Sequence, residues 1–548
     1  MGNKMLKLHP DDNVLVALQD LRSGETVSLT GITYTLVEDV PAKHKFFMQD
    51  MKAGDGITMY GVLVGKAQFD IPAGSRMSTE NTKHAAEPFT FRPSTYQWKA
   101  PDISKFAGRT FNGYLRSDGR VGTANYWLFI PTVFCENRNL DVIREALHNE
   151  LGYAVTDKYK SYTHHLVEAY KERGNLADEN ISFPSALANR ESRVFKNIDG
   201  IKFLNHQGGC GGTRQDAAIL GKLLAAYADH PNVAGITVLS LGCQNLQVQD
   251  FQNDLYARNP HFNKPLFIFE QQSSRSEEQL IQDAIRKTFE GLIEANKIER
   301  QPAPLSQLSL GVKCGGSDGF SGISANPAVG YTADLLVALG GKVLLAEFPE
   351  LCGAEQGLID RTKDEAAAKK FIHLMTAYNK AAHEVGSGFE NNPSPGNIKD
   401  GLITDAIKSA GAAKKGGTSP VEDVLDYTEP ATKTGLNLVC TPGNDVEATT
   451  GKAAAGATLI LFTTGLGTPT GNPVCPVIKV ATNNALAKRM ADIIDINTGP
   501  VIEGEKTIEQ MGEEILEYCI KAASGEVIPK AVLLNQDDFI PWKRGVSL

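Results

Sequence analysis

The chain has 548 residues, of which 42% are hydrophobic and 22% are charged, and its net charge is −9 at pH 7. The length predicts two or three domains, and the acidic balance without a lysine or arginine run argues against nucleic acid and membrane surfaces as partners. The polar first residues and the absence of a long apolar run predict neither a signal peptide nor a membrane span, so we expect a cytoplasmic protein with mostly reduced cysteines.

The first 90 residues are predicted to form a small β domain. Short β-branched and apolar runs, such as 14–18 and 26–29, are separated by glycine-containing turns. His44 and Lys45 interrupt this pattern, and on composition alone they indicate either a solvated basic turn or the polar focus of the domain. Residues 91–112, which contain Pro93 and Pro101, are predicted to be an extended linker.

Two α/β domains are predicted after the linker, at residues 113–300 and 301–548. Apolar strands alternate with helical segments in both, and this alternation is typical of largely parallel sheets covered by helices. A strand over 308–312 illustrates the pattern, because it leads through a glycine-rich loop into a helix that ends near Leu339. Asn326 is the predicted cap of that helix.

Four cysteines directly follow predicted strands: Cys135, Cys210, Cys243 and Cys314. Because the carboxyl ends of parallel strands form the ligand edge of a sheet, we expect one shared pocket that holds a metal or cluster. The alternative is a coincidence of buried cysteines. Thiolates with an imidazole such as His206 suit iron or zinc, and three or four thiolates would also suit an iron–sulfur cluster, although no compact cluster spacing is present.

Glycine-rich polar loops at the ends of two strands supply candidate contacts for a substrate: Lys313, Ser317, Asp318, Thr464, Gly465 and Thr468. Their N–H, hydroxyl and ammonium groups could hold a carboxylate or a polyol. The second loop is not a P-loop, since no Gly-Lys-Ser/Thr follows it. A third loop, residues 347–356, is rich in carboxylates.

Several of these motifs resemble those of the altronate/galactarate dehydratase family: Lys313-Cys314-Gly315-Gly316-Ser317-Asp318-Gly319, Asn392-Pro393-Ser394-Pro395-Gly396-Asn397, Thr463-Thr464-Gly465-Leu466-Gly467-Thr468-Pro469 and Leu241-Gly242-Cys243. The resemblance covers nearly the whole chain, and residues 1–90 are similar to the SAF-type β domain of that family. Within the family, three further segments look closer to altronate dehydratases than to galactarate dehydratases: Gly353-Ala354-Glu355-Gln356, Gly435-Leu436-Asn437-Leu438 and Pro442-Gly443-Asn444-Asp445.

The resemblance implies a hydro-lyase of hexuronate catabolism that depends on ferrous iron and converts D-altronate to 2-keto-3-deoxy-D-gluconate and water. Galactarate or another aldonate or aldarate is the alternative substrate, and Mn²⁺ or an iron–sulfur cluster is the alternative cofactor. We expect the metal at Cys210, Cys243 and Cys314, with Cys135 or His206 as a further ligand.

The catalytic residues that we expect are His44, Lys45 and His206. Removing the proton beside a carboxylate needs a base poised near neutral pH and a cation that stabilises the enediolate. His44 and Lys45, reaching over from the β domain, are predicted to act as acid/base and carboxylate clamp. Asn397 joins the six loop residues as a predicted substrate contact.

The chain departs from the family pattern at two places. Altronate dehydratases commonly carry a His-Ala-His-Asn run where this chain has residues 77–81, so either the specificity differs or those histidines are not essential. Residues 153–197 form an apparent helical insertion, whose His164 and His165 we expect at the surface. A non-catalytic sugar-acid binding protein is the alternative of another class, and a homo-oligomer is compatible with the sequence.

Overall fold

The computed structural model describes residues 4–154, 158–176 and 192–545. Its N-terminal β region consists of two three-stranded antiparallel sheets and a hairpin: Met5–Leu6, Val14–Ala17 and Lys45–Phe47; Gly56–Met59, Val62–Ala67 and Thr82–His84; Thr26–Leu29 and Ile32–Thr35. One apolar core of this region continues across its boundary. Val16 and Phe47 share that core with Phe320, Ile403 and other residues of the C-terminal region, which docks the β region there.

The middle region is built on a four-stranded parallel sheet. Its strands stand in the order Gly200–Phe203, Tyr126–Pro131, Val233–Ser240, Leu266–Glu270. A small antiparallel sheet beside it contains Val121–Gly122, Thr110–Leu115 and Gln301–Pro304. The described helices of this region are Asn137–Leu151, Lys158–Arg173, Arg214–Asp229, Val248–Arg258 and Glu277–Ala295.

The C-terminal region is built on a seven-stranded parallel sheet. Its strands stand in the order Val421–Leu425, Gly435–Val439, Lys342–Leu345, Ser309–Cys314, Leu459–Thr464, Val477–Ala481, Ile496–Asn497. The helices around it are Ala325–Ala338, Glu355–Ile359, Glu365–Glu384, Pro395–Lys399, Asp405–Ala413, Asp445–Ala455, Asn484–Arg489, Gly499–Ile502, Ile508–Ala523 and Lys530–Leu533. The predicted fold class, a small β domain followed by α/β regions with parallel sheets, is confirmed.

The central strands of both parallel sheets are buried along their whole length, as Ser309–Cys314, Leu459–Thr464 and Val233–Ser240 show. Helices cover both faces of such sheets, so side chains on both faces of these strands are buried. Among the described residues, no helix is both long and apolar enough to cross a membrane.

The cap predicted for the helix Ala325–Ala338 is wrong. Ser324 occupies the N-cap position, and Asn326 lies within the first turn. The Asn326 side chain is used over a longer range, because its Nδ2 donates to Gly411 O at 3.0 Å and its Oδ1 accepts from Thr463 Oγ1 at 2.6 Å. These distant partners override the local capping preference.

The predicted helical insertion is described only in part. A helix spans Lys158–Arg173, whereas residues 155–157 and 177–191 lie outside the described part of the chain. His164 and His165 are both exposed, as expected for a surface pair.

Candidate active site

The loop 43–45 of the β region is fixed against the C-terminal region by ion pairs. Lys43 Nζ lies 3.1 Å from Asp318 Oδ2 and 3.0 Å from Asp400 Oδ1, and Asp318 is fully buried. Burial alone would lower the pKa of Lys43, but the attraction of the two carboxylates outweighs it and raises that pKa. The ammonium therefore stays charged, and the loop is held at the carboxyl edge of the seven-stranded sheet.

His44 presents a free ring nitrogen at this junction. Its Nε2 lies 3.0 Å from Lys399 O, and its Nδ1 is buried without a hydrogen-bond partner. Since a carbonyl oxygen only accepts, Nε2 carries the proton and Nδ1 has an unused lone pair. Burial lowers the pKa of His44, so the imidazole is neutral at physiological pH and can accept a proton.

Lys45 lies directly beside His44 and is completely enclosed. Its side chain is 0% exposed, and its Nζ donates to Gly401 O at 2.6 Å. Burial lowers the pKa of Lys45 to about 7, although attraction to Asp318 opposes the shift. The charge of Lys45 in turn contributes to the lowered pKa of His44. A lysine that changes protonation near neutral pH is thus adjacent in sequence to a neutral imidazole that can accept a proton, an arrangement that suits acid/base chemistry.

Two cavities open on either side of the docked loop. One, of about 590 Å³, is lined by His44, Arg76 and Ser78 among others, and lies between the β region and the C-terminal region. The other, of about 370 Å³, contains Gly465 and Arg489 in its wall. Each cavity has an arginine in its wall that could bind a carboxylate, and Ser78 and His44 also line the first. The first cavity therefore suits a hydroxy acid.

A second cluster of charge is enclosed at the end of strand Ser309–Cys314. We call it the buried lysine cluster, and its members are Lys313, Cys314, Glu347, Glu350, Lys408, Lys415, Asp445 and Lys452. Four ammonium groups surround three carboxylates and one thiol. The charges nearly balance within the cluster, so it needs no further ion for neutrality.

Glu347 is the centre of the buried lysine cluster. Its carboxylate pairs with Lys313, with Lys415 at 3.0 Å and with Lys452 at 3.5 Å, and all four side chains are 0% exposed. Burial would raise the pKa of Glu347, but the three lysines outweigh it and hold that pKa well below its usual range. Lys313, predicted to contact substrate, is thus occupied by an internal partner.

Cys314 is buried and makes polar contacts within the same cluster. Its Sγ lies 3.3 Å from Glu350 Oε2 and 3.0 Å from Lys415 Nζ, and Lys408 pairs with Glu350 at 3.1 Å. Burial raises the pKa of the Cys314 thiol to about 11, although Lys415 lowers it in part. The thiol is therefore protonated at neutral pH and donates to Glu350.

A candidate metal site coincides with this cluster. Ligand atoms of Cys314, Glu347 and Glu350 lie within 4.8 Å of one another, the only such group of three among the described residues. A thiol with two carboxylates is a plausible donor set for a divalent transition metal. However, both carboxylates already accept from lysines, and Lys415 contacts Cys314 and Glu347 together. The donor atoms suit a cation, but the positive charge of the surrounding lysines opposes its binding.

The predicted substrate loops do meet at one sheet edge. Gly465 N donates to Gly316 O at 3.0 Å, which joins the two glycine-rich loops. Asn397 Nδ2 donates to Ser317 O at 2.8 Å, so the predicted Asn397 and Ser317 also lie together. A Cβ on Gly465 would stand 2.2 Å from the Asp318 carboxyl carbon, so only glycine allows this contact.

Most polar atoms of these loops are satisfied by the protein itself. Asp318 accepts hydrogen bonds through both carboxylate oxygens. Thr464 Oγ1 accepts from Gly467 N at 2.9 Å, and Lys479 donates to Thr468 O at 2.8 Å. The loops therefore shape the junction, and their direct contact with substrate stays a prediction.

The four strand-end cysteines follow strands of two different sheets. Cys135, Cys210 and Cys243 are exposed at the carboxyl edge of the four-stranded sheet, whereas Cys314 is buried at the edge of the seven-stranded sheet. The repeated strand-then-cysteine pattern is real, but it is distributed over two sheets. Adjacency of sheets is a tertiary property that the pattern does not contain.

His206 is held by backbone groups on both sides of its ring. Its Nδ1 accepts from Gly208 N at 3.0 Å, and its Nε2 lies 2.8 Å from Pro131 O. Burial lowers the pKa of His206 to about 4. No ring lone pair is left for a substrate proton or a metal, so we do not include His206 among the proposed catalytic residues.

His206→Asn is expected to weaken the pH dependence of stability between pH 7 and pH 5. The unfolded chain binds a proton at this residue below its usual pKa of 6.5, whereas the folded protein does not until about 4, so the free energy of unfolding falls as pH falls. The contribution at pH 5 is about 2 kcal/mol, from about 1.4 kcal/mol for each pKa unit. Urea denaturation of both proteins at the two pH values measures it, and an unchanged difference would contradict the buried neutral imidazole.

Several residues of the junction and cluster were not predicted to belong to a site: Lys43, Asp400, Lys408, Lys415 and Lys452. Lys43 precedes the predicted His44 and Lys45, and the other four have no recognised motif around them. The carboxylates Glu347 and Glu350 had a signal, because they lie in the acidic loop that follows a predicted strand. Lys313 precedes these carboxylates in the chain, and the other lysines that neutralise them follow in segments beginning at Lys408, Lys415 and Lys452.

Comparisons with known proteins agree along the entire chain. Residues 3–85 match the altronate/galactarate dehydratase SAF domain, residues 113–296 the D-galactarate dehydratase/altronate hydrolase second domain, and residues 305–547 the D-galactarate/altronate dehydratase C-terminal domain. The altronate dehydratases of Bacillus subtilis and Escherichia coli are each 34% identical to it over 99% of both chains. The galactarate dehydratase of Escherichia coli is 31% identical over 95% of this chain and 93% of its own. The chain therefore belongs to the D-galactarate/altronate dehydratase family of sugar-acid hydro-lyases.

Proposed function

We propose that the protein dehydrates D-altronate to 2-keto-3-deoxy-D-gluconate. The observation that carries the proposal is the docked loop 43–45, which places His44 in the wall of a cavity with cationic and hydroxyl groups and leaves its buried Nδ1 without a hydrogen-bond partner. The end-to-end match to two altronate dehydratases supports the choice of substrate.

His44 is the proposed base. Its neutral Nδ1 would take the proton from C2, beside the substrate carboxylate, while the double bond to C3 forms and the C3–oxygen bond breaks. The departing hydroxide takes up a proton, for which protonated His44 is the nearest donor, and leaves as water. The enol left behind converts to the 2-keto product, so atoms and protons balance.

Arg76 and Lys43 are proposed to stabilise negative charge on the substrate. Both line the cavity that contains His44. A guanidinium binds a carboxylate through two parallel hydrogen bonds, and a fixed cation next to the developing enediolate lowers the barrier to proton removal.

Lys45 has a different proposed role from the predicted carboxylate clamp. It is 0% exposed and donates to Gly401 O, so a substrate carboxylate has no path to it in this conformation. We propose that Lys45 is a positioning residue, which anchors the loop and helps to keep His44 neutral through its charge.

Ferrous iron, with Mn²⁺ as the alternative, is the metal that we propose. A bound divalent metal would act as a Lewis acid on an oxygen of the substrate. The set Cys314, Glu347 and Glu350 supplies suitable donors, but its lysines oppose the charge of the ion, and the proton transfers above depend on the residues of the junction alone.

Anaerobic turnover with added ferrous iron tests the proposed reaction. We expect a 2-keto-3-deoxy acid from D-altronate, with a higher kcat/KM than for galactarate and for other aldonates. Those compounds belong in the panel because the segment 77–81, which departs from the expected His-Ala-His-Asn run, contributes Ser78 and Thr79 to the cavity. Binding of altronate without product would instead indicate a sugar-acid binding protein, and preference for galactarate would reassign the substrate.

A further inference from the structure

Three exposed cysteines stand at one edge of the four-stranded sheet, away from the docked loop. Cys135, Cys210 and Cys243 each follow one of three adjacent strands, and all are free thiols. Buried cysteines of this chain, such as Cys475 and Cys519, lie in apolar cores instead. Packing in an apolar core therefore does not explain why three thiols lie at one open edge of the sheet.

The loops that carry these cysteines are bonded to one another in pairs. Three hydrogen bonds make the connections: Phe134 N to Gly208 O at 3.1 Å, Asn245 N to Gly209 O at 2.9 Å, and Gln244 Nε2 to Thr132 Oγ1 at 3.2 Å. Each bonded residue lies within three positions of its loop's cysteine. The three thiols are therefore neighbours in space.

The loop around Cys210 has a backbone that only glycine allows. Gly209 has a φ of 95°, and a Cβ on it would lie 2.2 Å from Thr132 O. Gly211 on the other side has a φ of 70°. Successive backbone N–H groups in such a conformation point toward an anion or a thiolate. At Cys243 a side chain supplies the N–H group, because Gln272 Nε2 donates to the sulfur at 3.1 Å.

The three thiols are not all within 4.8 Å of one another, so they do not form a preformed site for a single ion. Three thiolates around one tetrahedral ion stand about 3.8 Å apart, given metal–sulfur bonds of about 2.3 Å. Among the described residues the only three-ligand group within 4.8 Å is the one that contains Cys314. In a cubane cluster each cysteine binds a different iron, so the sulfurs stand further apart.

We propose that Cys135, Cys210 and Cys243 bind a [4Fe–4S] cluster whose fourth iron has no protein ligand. Of the three cysteines, Cys210 lines a cavity of about 490 Å³, which Asn245 and Glu447 also line, so this side of the cysteine edge is open to a small molecule. Hydrogen bonds to the sulfurs would tune the reduction potential of the cluster. The inference goes beyond the proposed reaction, which uses other residues.

Anaerobic reconstitution of the full-length protein with ferrous iron, sulfide and a thiol reductant tests this site. We expect about four sulfide and at least four iron per chain, as the cluster formula requires, and a brown chromophore. Mild oxidation is expected to release the unliganded iron and leave a three-iron cluster with its electron paramagnetic resonance signal. Iron without sulfide, or one zinc per chain, would overturn the proposal.

Cysteine variants locate the cluster. Cys135→Ser, Cys210→Ser and Cys243→Ser should each lose most of the sulfide and the chromophore while keeping the circular dichroism of the parent. Cys519→Ala changes a buried cysteine of the helix Ile508–Ala523 and should keep both the sulfide and the chromophore. Full sulfide content in the three serine variants would contradict the assignment, whatever their activity toward altronate.

Discussion

Glu347→Gln is expected to destabilise the folded protein by about 3–5 kcal/mol, the cost of removing one partner from a buried ion pair. The carboxylate is the common partner of Lys313, Lys415 and Lys452, and none of these groups is exposed to water. A glutamine has nearly the same shape but no charge, so three ammonium groups would lose their compensation. The urea midpoint and the melting temperature measure the loss.

Asp70→Asn is the matched control for that measurement. Asp70 pairs with Lys52 at 2.8 Å, but both side chains are largely exposed. Water and salt screen such a pair, so no measurable change in the midpoint is expected. Equal midpoints for Glu347→Gln and the parent protein would show that the buried lysine cluster does not stabilise the fold.

His44→Gln is expected to lower kcat by a factor of about 10²–10⁴, the usual contribution of a positioned acid/base group. Glutamine keeps a hydrogen bond to Lys399 O within reach, but it cannot accept the C2 proton. The parent enzyme should lose activity as pH falls through the lowered pKa of His44, because the protonated imidazole is no longer a base. Steady-state rates across pH 5 to 9 measure both effects.

Two further variants separate chemistry from structure. His9→Gln changes a partly exposed histidine of the same β region and should leave kcat unaltered. Lys45→Met removes a charge that lowers the pKa of His44, so the acidic limb of its pH profile should move to higher pH. A His44→Gln enzyme with the parent rate, or an unshifted limb in Lys45→Met, would exclude the proposed base and its positioning residue respectively.

The parallel sheets were predictable because their strands carry a local signal. Ser309–Cys314 and Leu459–Thr464 carry closely spaced apolar residues and end in glycine-rich loops, and both were expected as strands. Strands such as Val421–Leu425 and Thr110–Leu115 were not expected, since charged or polar residues interrupt them. The predicted domain limits stay a prediction.

The site was predictable only where a motif marked it. His44 and Lys45 stood out because two basic residues interrupt a β pattern, and the acidic loop marked Glu347. The common pocket for four cysteines stays a prediction, and the four follow strands of two different sheets because strand ends in sequence do not tell which strands share a sheet. Lys415 and Lys452, which pair with Glu347, were not predicted because a lysine usually lies at the surface.

The most direct test of the proposed catalytic junction is to find out which cavity binds the substrate, the one beside His44 or the one beside Cys210. A crystal structure with a bound 3-deoxy aldonate, which has no C3 hydroxyl to lose, determines it. We predict that the ligand carboxylate contacts Arg76 or Lys43 and that C2 lies about 3–3.5 Å from His44 Nδ1, the separation of reacting atoms. A ligand bound in the cavity beside Cys210, without contact to residues 43–45, would contradict the proposed site.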